Sequence, residues 1–162
     1  MGTILDKIKV FYDGWDSGDS EAFTASVAEA FVPGASVGRP EEPTRTVEEL
    51  MPLWLVELEA WKPQSHEITT VIEGGDAVMY EYIWRATHNS VLETTDGRVF
   101  PPTGRQVQNR AGIYATWNGE KLTSFTPVFS NYQDIVRQIE AAQREAEAAG
   151  ERRPEGEAHA RA

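Results

Sequence analysis

The sequence predicts an α+β domain in which a conical, curved antiparallel sheet of about four long strands is closed by N-terminal helices. Three observations carry this. Apolar residues recur at spacings of three and four over 3–16, 19–31 and 46–61, the period of an amphipathic helix. From His66 the pattern changes to β-branched and alternating residues, with turn signals at Gly74-Gly75-Asp76 and Asn118-Gly119. Helical spacing returns at 131–149 through Tyr132, Ile135, Val136 and Ile139.

Each element follows in order. Ile4, Leu5, Ile8, Phe11, Tyr12 and Trp15 form one stripe on a helix over 3–16, with Thr3 or Asp6 as its cap. Gly14 weakens that helix and Ser17-Gly18-Asp19 ends it. A short helix over 19–31 buries Ala22, Phe23, Val27 and Phe31. Residues 32–45 hold three prolines and two glycines and read as loop, with a short strand at most at Ala35-Ser36-Val37. Thr46 opens a third helix with early acids, and Trp61-Lys62-Pro63 ends it; Pro52 falls near its start, where it is tolerated. Strands are expected from His66 to Ile72, 76–88, 105–117 and 122–129, with a loop over 89–104. The second of these could extend about 40 Å at roughly 3.3 Å per residue, long enough to twist and curl. A curled sheet closed by helices has an interior, and the mouths of such folds commonly hold small molecules.

A chain of 162 residues with 40% hydrophobic residues fits one domain, taken as residues 1–149. The Glu-, Arg- and Ala-rich segment 150–162 reads as a disordered charged tail. With no cysteine there is no disulfide framework or thiolate chemistry. A net charge of −11 argues against nucleic acid. No apolar run reaches the roughly 18 residues of a membrane span, and Met1-Gly2-Thr3-Ile4 does not open like a secretory signal. The plain expectation is a cytoplasmic protein without nucleic-acid or membrane partners. No His and carboxylate spacing reads as a metal site, and no phosphate loop is visible.

The stretch 76–110 carries the chemistry. Val78, Tyr80, Tyr82, Trp84, Ala86 and His88 share one strand face by the period of two. His88, at the end of that aromatic face, is the expected acid/base, since an unperturbed pKa of about 6.5 serves proton transfer in both directions. Its other reading is a hydrogen-bonded histidine at a strand end. Tyr80, Tyr82, Trp84, Tyr114 and Trp117 either line an aromatic pocket or fill the core. Gln106, Gln108 and Arg110 alternate with Val107 and Asn109, so polar groups fall on both faces of the third strand. Gln108, Asn109 and Arg110 are expected to hold a carbonyl or enolate oxygen, or else to be solvated on an edge or dimer-facing strand. Tyr12, Trp15, Trp54 and Trp61 join Tyr82, Trp84, Asn109 and Tyr114 as expected substrate-binding residues. Asp16 and Asp19 read as helix-end residues, His66 as an exposed residue at a strand start, and Glu93 as a loop acid near a cavity mouth.

Several of these residues occur in recognisable groups. They are Gly75-Asp76-Ala77-Val78, Arg85-Ala86-Thr87-His88, Pro101-Pro102-Thr103-Gly104-Arg105, Asn118-Gly119-Glu120-Lys121 and Gln138-Ile139, with Tyr12 through Phe23 and Trp61-Lys62-Pro63 before them. Over residues 3–140 the chain resembles the SnoaL-like polyketide cyclases of the nuclear-transport-factor-2-like superfamily. The resemblance implies a conical α+β barrel with an apolar cavity, a homodimer through the open sheet face, and no metal or cofactor. It also implies a cyclase or isomerase of secondary metabolism acting on a polyketide-like aromatic or polycyclic substrate. In the cyclases an aspartate before the Gln-Leu of the last helix is the acid/base of ring closure. Counting back seven residues from Gln138 reaches Asn131, and an amide takes no proton near neutrality. Asn131 is therefore expected either to donate a hydrogen bond to a substrate carbonyl or to cap the last helix. The superfamily also holds isomerases, epoxide hydrolases and proteins without catalysis, so a hydroxylase, a hydrolase or a binding protein stays open.

Overall fold

A computed structural model describes residues 2–39, 42–94 and 97–151. Helix α1 (Ile4–Asp16) starts on a full capping box: Thr3 accepts from the Asp6 backbone and Asp6 accepts from the Thr3 backbone. Asp19 caps α2 (Ser20–Ala30), and a second capping box of Thr46 and Glu49 opens α3 (Val47–Ala60). The last helix, α4, runs Tyr132–Glu151. Among the described residues no helix is long and apolar enough to cross a membrane.

Gly14, which weakens α1 on propensity, has a packing reason. A Cβ built there meets Ser26 Oγ of α2 at 1.9 Å and the Ala22 carbonyl at 3.3 Å. Gly14→Ala is therefore expected to push α1 and α2 apart and to destabilise the fold by about 1–3 kcal/mol, measured by denaturant unfolding. An unchanged midpoint would show that the helix pair yields freely.

The four expected strands form the antiparallel meander. They are β3 (Gln64–Gly74), β4 (Ala77–Thr87), β7 (Gln106–Trp117) and β8 (Leu122–Ser130). The sheet has two more members. β1 (Phe31–Arg39) pairs parallel to β8, and β2 (Glu42–Thr46) pairs antiparallel to β1. The order is β2-β1-β8-β7-β4-β3, so the sheet is curved but open and does not close into a barrel. The segment read as loop is thus largely strand. Pro33 and Gly34 fall where the β1–β8 register shifts, between Phe31 and Ser36, so proline meets no ladder partner there. The short strands β5 (Leu92–Glu93) and β6 (Val99–Phe100) pair inside the connection expected as loop. Residues 95–96 of the expected loop and 152–162 of the expected tail lie outside the described residues.

The concave face carries the core. Phe11, Phe23, Phe31, Trp54 and Phe125 interlock with Leu50, Leu58, Tyr80 and Ile113 under α1–α3. Phe11 meets Phe31 edge to face at 5.2 Å and 89°. A second cluster of Ala86, Phe100, Val107, Ile135, Val136 and Ile139 seats α4 at the other end of the sheet. Gln138 fixes this docking: its amide donates to the Gln108 carbonyl at 2.7 Å and accepts from the Gln108 backbone at 3.0 Å. The convex face is solvated. It bears the ion pairs Arg110–Glu81 and Arg85–Glu67 beside exposed Ile72, Met79, Tyr114 and Phe129.

Candidate functional site

Between the concave sheet face and helices α1 and α3 lies a cavity of about 160 Å³. Helix α1 supplies Phe11, Tyr12 and Trp15, and α3 supplies Trp54 and Glu57. The sheet supplies His66, Tyr82, Ala111, Ile113, Phe125 and Ser130. Four of the expected substrate-binding residues, Tyr12, Trp15, Trp54 and Tyr82, therefore meet on one cavity. Trp61 and Trp84 belong instead to the second cluster, 5.2 Å apart and edge to face. Tyr114 lies exposed on the convex face. Asn109 is buried on the concave face opposite Trp84, one rung beyond the Ala111–Ser130 pair that lines the cavity.

His66, which sequence reasoning set aside, is a polar group of this cavity together with Glu57 and Ser130, and it is held by Asp16, a second residue set aside. His66 does not sit exposed; its side chain is only 6% accessible. On β3 the inward positions before the bulge are Gln64, His66 and Ile68, with Ser65 and Glu67 outward. The His66 ring stacks on Tyr12 at 4.3 Å and 21°. Asp16, one turn beyond Tyr12 on α1, grips the same residue twice. One carboxylate oxygen lies 2.6 Å from His66 Nδ1, and the other accepts from the His66 backbone N–H at 3.0 Å. An Nδ1–H held by a carboxylate leaves Nε2 as the basic nitrogen and fixes the plane of the ring.

Electrostatics keep the imidazole neutral. Burial pushes the His66 pKa down, and the Asp16 hydrogen bond and charge oppose this only in part. Burial drives the tyrosines the other way: Tyr12 and Tyr80 are raised well above the usual phenol range and Tyr82 is pushed up to about 12. All three are thus neutral O–H donors. Tyr12 and Tyr80 share a hydrogen bond of 2.7 Å. Tyr82, on the cavity wall, has its ring 5.4 Å from that of His66. A neutral base beside a phenolic donor in an apolar cavity is equipped for proton transfer at carbon.

The residues expected to be catalytic lie elsewhere. His88 is 1% exposed and packs on Trp61 at 5.3 Å, not on the cavity. Its Nδ1 accepts from the Thr103 backbone N–H at 3.2 Å and lies 3.0 Å from Thr103 Oγ1. Its backbone N–H donates to the Arg105 carbonyl and its carbonyl accepts from Gly104. The Thr87-His88 and Pro101–Arg105 groups are thus two halves of one latch, which ties the loop to the end of β4. Asn131 is exposed, and its carbonyl accepts from Asp134 and Ile135 at the start of α4, as a helix-capping residue does. Arg110 points from the convex face into its ion pair with Glu81, so it stands on the opposite side of the sheet from the cavity. Among the described residues no group of three or more His, Asp or Glu is placed to hold a metal ion.

Residues 8–125 match the family model of the SnoaL-like domain. The chain belongs to the SnoaL-like family. Solved structures share its fold. A candidate SnoaL-like polyketide cyclase from Jannaschia sp. CCS1 superposes with a TM-score of 0.70 at 13% identity, covering 84% of this chain and 90% of that one. IdmH, a candidate polyketide cyclase from Streptomyces antibioticus, gives 0.68 at 20% identity over 85% and 99%. AclR, a candidate hydroxylase from Streptomyces galilaeus, gives 0.67 at 14% identity over 86% and 98%. No protein of curated function matches the sequence. At such identities the likeness carries the SnoaL-like fold, and the site must be argued from its own residues.

Proposed function

We propose that this SnoaL-like protein is a cofactor-independent enzyme of secondary metabolism. It abstracts a proton from a carbon next to a carbonyl in an apolar, polyketide-like substrate and so closes or isomerises a ring. The observation that carries the reading is His66 on the cavity wall, gripped by Asp16. His66 Nε2 takes the proton, and Asp16 holds the ring and stabilises the imidazolium that forms. The Tyr82 hydroxyl donates to the oxygen on which negative charge develops. Return of the proton from His66 to another carbon of the extended enolate completes an isomerisation; attack of the enolate carbon on a second carbonyl, whose oxygen then takes the proton back from His66, completes a cyclisation. The aromatic wall keeps water from the enolate and lowers the local dielectric. The protein is further proposed to work as a homodimer, which would cover the exposed Ile72, Met79, Tyr114 and Phe129 of the convex face.

Isotope exchange tests the reaction without knowledge of the natural substrate. In deuterium oxide the protein is expected to speed incorporation of deuterium next to the carbonyl of cyclohexanone-type ketones above the buffer rate, read by mass spectrometry. A set of such ketones that binds in the cavity and exchanges no faster than in buffer would leave a binding protein as the better reading.

A further inference from the structure

His66 is not held by Asp16 alone. Its ring lies flat against that of Tyr12, with centroids 4.3 Å apart and planes at 21°. Helix α1 supplies both partners. Tyr12 and Asp16 stand four residues apart on one face of that helix, so the phenol lies along the face of the imidazole and the carboxylate meets its edge. Tyr82 of β4 is the other phenol beside His66, at 5.4 Å and 49°, and it offers an edge as much as a face. Tyr12 is itself fixed: it is buried, and its hydroxyl shares a hydrogen bond of 2.7 Å with that of Tyr80, which is buried in the core.

The face of a phenol ring carries negative potential, and a cation within about 6 Å of its centroid is attracted to it. While His66 is neutral the stack is ordinary packing. Once the ring takes a proton, its positive charge spreads over an imidazolium that lies against that face, and the same contact becomes a cation–π interaction. Burial strengthens the attraction, because little water competes for the charge. Asp16 supplies negative charge in the plane of the ring, and Tyr12 supplies negative potential perpendicular to it. Among the described residues, the other titratable groups around the ring are Tyr82 of β4, kept neutral by burial, and Glu57 of α3 on the cavity wall. Glu67, the next residue on β3, turns outward to Arg85, and Lys62 lies on the cleft that Asp16 borders.

We propose that Tyr12 is a positioning residue that strengthens His66 as a base: its π face stabilises the imidazolium, and Tyr80 braces that face parallel to the ring. The consequence for catalysis rests on the proton-abstraction reading above; the effect on the basicity of His66 does not. A ring present only to fill space predicts the opposite sign on truncation. A smaller side chain would then let water reach the imidazole, relieve the burial that disfavours its charge and make it more basic.

An NMR pH titration of the His66 ring signals, assigned by their loss in His66→Ala, separates the two. Tyr12→Leu is expected to raise the acid dissociation constant of His66 about 3- to 30-fold, and Tyr12→Phe, which keeps the face, to leave it within about twofold. Because Tyr12 is a core residue, the decisive comparison uses two rings of nearly one shape, Tyr12→Phe and Tyr12→pentafluorophenylalanine. Fluorine reverses the potential of the face, so the fluorinated ring is expected to make His66 about 10-fold the weaker base. Equal titration of these two variants would overturn the proposal, and so would a more basic His66 in Tyr12→Leu. Isotope exchange at cyclohexanone-type ketones is expected to follow the titration, its acid limb moving to lower pH in the fluorinated variant. Should His66 weaken on fluorination while exchange keeps its pH profile, the proton-abstraction reading fails and the stabilising stack stands.

Discussion

Replacement of His66 by alanine is expected to slow deuterium exchange next to a ring ketone's carbonyl by about 100- to 10,000-fold, the usual contribution of a positioned general base. The loss should fall on kcat and leave KM nearly unchanged, because Phe11, Trp15 and Trp54 still enclose the ring. Asp16→Asn is the finer test. It keeps the size of the side chain, but its single amide oxygen can accept from only one of the two His66 N–H groups, and the charge that stabilises the imidazolium is gone. Burial holds the His66 pKa below its usual 6.5, so the basic form prevails at neutrality and the rate should fall as the pH drops beneath that value. Asp16 opposes the downward shift, so its loss should move the acid limb to still lower pH. A rate that survives His66→Ala would remove the histidine from the chemistry, whatever its geometry.

The second large effect is on stability. His88→Ala is expected to destabilise the protein by about 2–4 kcal/mol, since it empties a buried ring site and strands the Thr103 N–H that the ring accepts. Exchange activity per folded molecule should stay within a few-fold of the original, because His88 does not line the cavity. The pH dependence follows from linkage. Burial lowers the His88 pKa in the folded state, so the unfolded chain binds the proton more readily. The stability that the neutral ring supplies is complete above pH 6.5 and is lost as the pH falls below it. The His88→Ala variant should therefore show a shallower loss of stability below that pH than the unaltered protein, with His66 supplying the slope that remains. A hundredfold loss of exchange with an unchanged unfolding midpoint would restore His88 as the base.

Most of the scaffold is legible in the chain. The helix stripe through Phe11 and Trp15, the capping residues Thr3, Asp19 and Thr46, and the turns at Gly75 and Asn118-Gly119 each rest on local chemistry that acts wherever the residue stands. The strand Phe31–Arg39 was not legible, because its pairing to β8 bridges distant parts of the chain and its prolines and glycines imitate a loop. Tyr12, Trp15, Trp54 and Tyr82 could be named because they alternate on β4 or stripe α1 and α3, whereas the same patterns also pointed to Trp61 and Trp84, which pack elsewhere. The phase of β3 could not be read. Its register shifts between Ile68 and Thr70, so Val71 and Ile72, the apolar residues that would announce an inward face, end up exposed. His66 consequently passed for a surface residue, and Asp16 for the end of a helix.

By itself the sequence determined the four helices, the four-stranded meander, the family and four of the aromatic residues on the cavity wall, since periodicity, caps and turns are written in neighbouring residues. Only the tertiary structure decided which polar groups share the cavity. Asp16 and His66 are 50 positions apart and meet at 2.6 Å, whereas His88, on the aromatic strand itself, turns to Thr103. A proton-transfer site is a contact between elements, and its partners are chosen by how helix α1 crosses the sheet, which no local pattern records.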